Sequence, residues 1–564
     1  MAETEAIDAI RKQIQLPLDD SVRSRMREVF TASAFDVPPD ATREERCRLA
    51  YEQLHLVNRA FGPGTELLND PTRLFELFSW AGLTGPALPF AMLVHYTLAL
   101  GSLVGQRGKD PEIARRELAL SALDSVGCFM ITEIGRGSSH IAIRTEATYD
   151  AKYDEFVLHT PASASAKISN VGLAGVPKTA VVCARLKVGG RDRGVFTFAV
   201  PIRDAEGIRP GIRVTPVPGM PLVPIDTCVV TFDRLRVPRH DWLPGDASLD
   251  TDEDPDARTL KTLSSAPLCW TAQAASLAAA ARGCVTIALR HASTRITMSR
   301  RAPRLPAIAH RNQHRPLLGA LAEAYAITLL TNDVAASYQK EPAQSTSSPS
   351  HVDGAATPWV SVNLKSTLTK ALATRGLERI ATRCRQSYGV MGLMTANRVI
   401  DYQFLAHAYH SAGGDGQLIL LDTARALAAG PPPTPSPRVG HVSDPEFLGS
   451  LFEAAELLAH QQYAEQDGRF DAAMALADAH AAGLIWRAAA STEGLLGRLR
   501  RFHALETVQD RSGWLLANKL LTPDQALEIP NALNELCDEL LPHALTLVDA
   551  FDIPDVLLGS RLMP

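Results

Sequence analysis

The chain has 564 residues, with 57 basic against 62 acidic side chains and a net charge of −5. Its 46% hydrophobic and 21% charged content is that of an ordinary globular protein, which excludes wholesale disorder and collagen-like repeats. The length gives room for three or four domains, and the balanced charge favours neither nucleic acid nor an anionic membrane as partner.

Residues 1–125 read as an N-terminal helical domain. Arg46–Phe61 and Leu88–Leu103 carry apolar residues at helical spacing, punctuated by Pro38–Pro39, Gly62–Pro63–Gly64 and Gly85–Pro86. Ahead of them, MAETEAIDAIRKQIQLP has no basic segment followed by an apolar one, so no signal peptide is expected. No apolar run reaches the ~18–20 residues of a membrane span. Residues 126–248 change texture. AIRTEATYD, EFVLHTP, KTAVVCARLKV, GVFTFAVPI and CVVTFDRLRV are short, β-branched and often alternating, which predicts an all-β domain.

DTDEDPDAR, at 250–258, is an acidic linker, and helix resumes near Leu260. SSAPLCWTAQAASLAAAARGCVTIALRHAS is apolar on nearly every face, the mark of a buried central helix. It opens a helical bundle over 259–427, with a polar stretch at 340–358 read as an exposed loop. AAGPPPTPSPRVG, at 428–440, is a proline-rich linker to a last helical domain over 441–564. Strands and helices do not alternate, so the chain is no doubly wound sheet. Cys47, Cys128, Cys183, Cys228, Cys269, Cys284, Cys384 and Cys537 form no CxxC pair, and the final RLMP is no peroxisomal address. The expectation is a cytoplasmic protein with reduced thiols.

Three segments carry candidate chemistry. ITEIGRGSSH (Ile131–His140) has a GxG at Gly135 and Gly137, but no third glycine and no following helix, so it is no Rossmann fingerprint. It is either an ordinary turn or one whose N–H groups and hydroxyls, at Thr132, Ser138 and Ser139, bond a heterocycle or a phosphate. YGVMGLMTANRVID (Tyr388–Asp401) sets Gly389 and Gly392 between helices, as a helix break or a close approach to a ligand. HSAGGDGQL (His410–Leu418) is a glycine loop before a helix, whose N–H groups suit an anion; it lacks the P-loop lysine and hydroxyl. His291, His310, His314, His407 and His410 have neither HExxH spacing nor paired carboxylates, so no metal is expected. No GxSxG or Cys–His signature points to an acyl hydrolase.

In order and spacing these segments resemble the acyl-CoA oxidase branch of the acyl-CoA dehydrogenase superfamily, from about residue 80 to the C-terminus. CFMITEIGRGSSH is similar to that family's flavin-contacting turn. EATYDAKYDEFVLHTPASASAK, GVFTFAVPIRD and FDRLRVPRHDWL resemble its β-domain segments. ARGCVTIALRHA resembles its central helix, YGVMGLMTANR its GGHGYL loop, and LPHALTLVDAFDIPDVLLG its extra C-terminal domain. The resemblance implies a mainly α fold with a central β-barrel domain: helical domain, β-barrel, four-helix bundle, C-terminal helical domain. It implies FAD between barrel and bundle, a homodimer completing each flavin site, and O2-linked desaturation of an acyl thioester, CoA-bound or carrier-bound. Carried over by motif, Thr132, Gly137 and Ser138 meet the flavin, Gly172 and Arg295 assist, and Gly389 and Gly392 lie near its pyrophosphate.

The departures cluster. The family's catalytic glutamate segment reads Ser411-Ala412-Gly413-Gly414-Asp415, with Gly413 in the glutamate's place. The alternative glutamate position, on the central helix, is Cys269. The phosphate-clamping RRQF reads Arg295-Ile296-Thr297-Met298, and the residues after Lys167 are Ile168-Ser169 where tandem tryptophans are the pattern. The glycine pair beyond them reads Val171-Gly172. Three readings follow: an FAD-dependent oxidoreductase with an altered site, with Asp415 or His410 as candidate bases; a flavin-free enzyme of the same fold; or a non-catalytic partner subunit of a heteromeric dehydrogenase.

Overall fold

The computed structural model describes residues 2–106, 110–218, 223–299, 302–340, 362–436 and 440–559. Helices α1 (Ala2–Ile14), α2 (Asp20–Phe30), α3 (Arg43–Phe61), α4 (Pro71–Thr84), α5 (Ala87–Val104) and α6 (Pro111–Ala122) precede the strands. Their starts are written locally. Thr42 and Glu45 form a reciprocal capping box on α3, and Asp70 accepts from Arg73 N ahead of the proline that opens α4. Within α5, Leu93–Leu100 is π-helical, where His95 Nδ1 accepts from Gly127 N at 2.9 Å.

The strands are β1 (Val126–Met130), β2 (Glu146–Asp150), β3 (Glu155–His159), β4 (Lys167–Asn170), β5 (Lys178–Val188), β6 (Arg191–Arg203), β7 (Ile212–Pro216), β8 (Thr227–Phe232), β9 (Leu235–Pro238) and β10 (Trp242–Leu243). The expected barrel is a curled half-barrel. Its seven-stranded sheet runs β10-β6-β5-β2-β3-β9 with β1 parallel to β5, beside a three-stranded sheet β4-β8-β7. Phe156, Phe198 and Trp242 meet in its core, with ring centroids 5.1 and 5.7 Å apart. A buried network ties it to α3. Asp226 accepts from Tyr51 OH and pairs with Lys178 at 3.2 Å, and the Lys178 ammonium sits 3.8 Å above the Tyr51 ring.

Beyond the strands come α7 (Ala266–Thr294), the hairpin β11 (Ile296–Ser299) and β12 (Ala302–Pro306), α8 (Arg311–Lys340), α9 (Leu364–Tyr388), α10 (Val399–Ser411) and α11 (Gly416–Ala428). Helix α7 packs against α4, α8 and α9 and is the axis of the molecule. It lies so close to α4 that a Cβ at Gly82 would stand 2.5 Å from Ser276 O. Against expectation, α5 and α7 are both long and apolar enough to cross a membrane, but 94% of the α7 window is buried inside the fold. Core packing in the bundle therefore accounts for its composition. Apart from residue 340, the expected loop at 340–358 lies outside the described residues.

The chain ends in α12 (Pro445–Glu465), α13 (Phe470–Ala488), α14 (Gly494–Asp510) and α15 (Pro523–Leu540). Ion pairs fasten them to α9: Arg375 to Asp478 and Arg383 to Glu506, each at 3.0 Å.

Candidate active site

Strand β1 delivers the turn Ile131–Ser139. A buried ion pair fixes its shape. Glu133 and Lys167, both fully buried, lie 3.2 Å apart. The Glu133 carboxylate also accepts from Thr145 N and Oγ1, each at 2.7 Å, and from Arg144 N at 3.0 Å. Burial pushes the Glu133 carboxyl up, but Lys167 and Thr145 outweigh it and hold it below the usual range. Lys167 Nζ donates to Ile131 O at 3.0 Å, and Ile168 N to Thr132 O at 3.3 Å. Beyond this anchor Thr132 and Ser138 are half-buried and Gly137 is exposed. Gly137 sits at φ +52°, with no atom within 4 Å of where a Cβ would be. The outer face of the turn is open.

Ile131 packs against a buried cluster that includes Trp270 of α7, Ala371 of α9 and Ile419 of α11. The turn is thereby seated against the helices that hold the Ser411–Asp415 segment. There, three consecutive carbonyls are bonded by buried side chains. Gln273 Nε2 donates to Ala412 O at 3.1 Å, Trp270 Nε1 to Gly413 O at 2.7 Å, and Lys370 Nζ to Gly414 O at 2.6 Å. Among the described residues no acceptor bonds the N–H groups of Gly413, Gly414 or Asp415. A trans peptide sets its N–H opposite its C=O, so these three donors turn away from the three side chains.

Gly413 and Gly414 have φ of +74° and +101°, and a Cβ at Gly413 would lie 2.5 Å from Gln273 Oε1 and 2.9 Å from its Nε2. Conformation favours glycine at both positions, and a side chain at 413 would also displace the Gln273 amide. Lys370 is fully buried, and desolvation pulls its ammonium down to about 7. Cys269 is close to it, and burial pushes that thiol up to about 12. Tyr409, also fully buried, stacks on Phe90 at 5.9 Å, and its hydroxyl has no hydrogen-bond partner.

The structure brings Asp415 and His410 to this place but occupies one of them. The Asp415 carboxylate caps α11, accepting from Gln417 N at 2.9 Å and Leu418 N at 3.1 Å. His410 is half-buried, its Nδ1 unpartnered.

At the far end of α7, the His291 ring meets Tyr388 edge-on at 4.3 Å and brings the Gly389 loop alongside. Gly389 has φ +68° and open space where a Cβ would be. Gly392 packs on its own chain, with a Cβ position 2.8 Å from Arg385 Cγ, and Gly172 does the same against Cys228 Sγ at 2.6 Å. Arg295 is exposed at the end of α7, followed by exposed Ile296 and Met298.

Within the turn the N–H groups of Ile134, Gly135, Arg136 and Gly137 are bonded to backbone carbonyls, which leaves the Thr132 and Ser138 hydroxyls as its side-chain donors toward a heterocycle on the open face. The strand after Arg295 supplies no second cation. His310 bonds Thr297 Oγ1 at 2.6 Å, His314 bonds Ile308 O at 2.9 Å, and His407 lies 3.8 Å from Glu378. Among the described residues no three His, Cys, Asp or Glu side chains gather as metal ligands.

Sequence reading missed Gln273, Trp270 and Lys370. The available signal was a glutamine inside the otherwise apolar WTAQAASLAAAA run.

Comparison with known proteins agrees with this architecture. Residues 271–428 match the acyl-CoA oxidase C-alpha1 domain, and residues 471–562 match acyl-CoA oxidase. Acyl-coenzyme A oxidase 3, peroxisomal, of Arabidopsis thaliana is 26% identical over 492 residues, 77% of this chain and 71% of that protein. An acyl-coenzyme A oxidase-like protein of Mus musculus is 25% identical over 528 residues, 82% of this chain and 81% of its own. Among solved structures, the tomato (Lycopersicon esculentum) acyl-CoA oxidase superposes with a TM-score of 0.80 at 20% identity, covering 96% of this chain and 89% of its own. Acyl-CoA oxidase-1 of Caenorhabditis elegans, complexed with FAD and ATP, gives 0.81 at 20% identity, covering 98% and 90%. The fold is that of the acyl-CoA oxidases. The likeness to acyl-CoA oxidases at the sequence level runs over the central helical bundle and the C-terminal helical domain.

Proposed function

We propose that this chain is an FAD-dependent oxidoreductase acting on an acyl thioester, with no protein carboxylate at the family's base position. FAD, when bound, supplies two-electron redox chemistry. Thr132, Gly137 and Ser138 hold its ring side and Gly389 its phosphate side. The reading is carried by the Ala412–Gly414 segment. Its carbonyls are bonded by Gln273, Trp270 and Lys370, and the Gln273 amide fills the space that a side chain at its first glycine would take.

The consequence is a change of sign at one point of the site. A carboxylate there would accept a proton, whereas the three free N–H groups donate to negative charge developing on a substrate oxygen. Proton removal then falls to His410 or to the substrate itself. Losing a positioned base forfeits about 10²–10⁴ in rate, so simple saturated acyl-CoA is a poor substrate. Exposed Val390, Leu393 and Met394 on the Gly389 loop, with Ile296 and Met298 on β11, support a dimer that covers this end of the molecule.

The replacement of the clamp's second cation by Ile296 after Arg295 is the observation that favours the flavin-free reading. The test is the visible spectrum of the purified protein after incubation with FAD and filtration. Retained flavin bands support the proposal. A colourless retentate at excess FAD refutes it and leaves non-redox chemistry or a partner subunit.

A further inference from the structure

The side chain standing where a residue 413 side chain would extend is Gln273. Its amide is fully buried, and its two ends have different fates. Nε2 donates to Ala412 O at 3.1 Å, and since a carbonyl can only accept, this bond fixes which end of the amide is nitrogen. The amide lies flat against Gly413, with Oε1 2.5 Å and Nε2 2.9 Å from the Cβ position. Oε1 has no hydrogen-bond partner. Gly413, against which this buried acceptor lies, is exposed. A buried acceptor left unbonded is costly, and a ligand that brings a donor to it is favoured over one that brings a C–H bond.

We propose that Gln273 is a specificity-determining residue, and that the preferred acyl group carries an O–H or N–H donor on or beside the α-carbon. The inference rests on the acyl-thioester reading above and names the substrate class for that site. Plain alkyl thioesters leave Gln273 Oε1 unpaired. A 2-hydroxyacyl thioester satisfies it.

The experiment compares dissociation constants, by titration calorimetry on the FAD-incubated protein, for 2-hydroxyacyl-CoA and unsubstituted acyl-CoA of equal chain length. The hydroxylated ligand is expected to bind roughly tenfold tighter or more, and Gln273→Met, which keeps the length and removes the acceptor, is expected to erase the difference. If that variant does not fold, the wild-type comparison decides alone. Equal affinity for the two ligands overturns this inference and leaves the acyl-thioester reading standing. Binding of neither thioester overturns both. A preference that survives unchanged in a folded Gln273→Met protein overturns the role of Gln273.

Discussion

Placing a side chain at residue 413 is the sharpest perturbation of the site, because two separate costs meet there and one can be removed. Gly413→Ala must hold a Cβ at φ +74°, which costs about 1–2 kcal/mol. It must also displace Gln273 Oε1 from 2.5 Å, an overpacking cost of about 1–3 kcal/mol. Gln273 cannot swing away freely, since Nε2 is bonded to Ala412 O. Gln273→Ala alone leaves that carbonyl unbonded, at about 1–3 kcal/mol. In the double variant the overlap is gone and the backbone cost remains. The two substitutions should therefore be non-additive, with the double variant more stable than the sum by about 1–3 kcal/mol. For a cooperative unit of 150–250 residues this is several degrees, at about 2–4 °C per kcal/mol. Differential scanning calorimetry of the four proteins reads it. Additivity within about 0.5 kcal/mol would mean that Gln273 does not fill the space beside Gly413, and the argument about the replaced base would fail with it.

Gly413→Glu alone should not create acyl-CoA oxidation, whereas Gly413→Glu with Gln273→Ala should raise turnover above the parent, measured as H2O2 release. Asp415→Ala should lower the thermal midpoint by the ~1 kcal/mol of a lost helix cap and leave the pH profile of turnover unmoved; a shifted profile would make Asp415 the base after all. Glu133→Gln uncovers the buried Lys167 charge, and a loss of about 3–5 kcal/mol is expected together with weaker flavin retention. Lys370 titrates near 7 in the folded protein and near 10.4 unfolded, so the unfolded chain binds the extra proton between these values. Stability should rise with pH across that window, relative to Lys370→Met, by a total on the order of 4 kcal/mol; a flat difference between the two proteins would contradict the buried-ammonium argument. The groups bearing on Lys370 are Cys269, whose thiol stays neutral until about 12, and the Asp415 carboxylate.

The strands were legible because their burial follows short-range patterns. KTAVVCARLKV is β5 residue for residue, and Phe156 and Leu158 alternate inward as the EFVLH spacing demands. The glycines at 413 and 414 were legible as a departure from a motif. What fills the space beside them was not, because Gln273 reaches Ala412 across 139 residues of sequence, and no local pattern encodes that meeting. The role of Glu133 was hidden in the same way: its partner Lys167 lies on another strand, and only the fold makes them neighbours. Within α5, the π-helical stretch could not be separated from an α-helix by apolar spacing over so few residues. The all-round apolar composition of α7 was legible as a buried central helix, and 94% of its most apolar window is buried inside the fold.

The central claim is that the chain keeps a flavin site and has exchanged its base for an amide and a row of N–H donors. The measurement that tests it most directly is anaerobic stopped-flow reduction of the FAD-loaded protein by saturated acyl-CoA, followed at the visible flavin bands. The account predicts flavin that is retained but bleached about 10²–10⁴ more slowly than in a family member bearing the carboxylate. Bleaching at that member's rate would contradict it, because a base as effective as the carboxylate would then be at work without one at position 413.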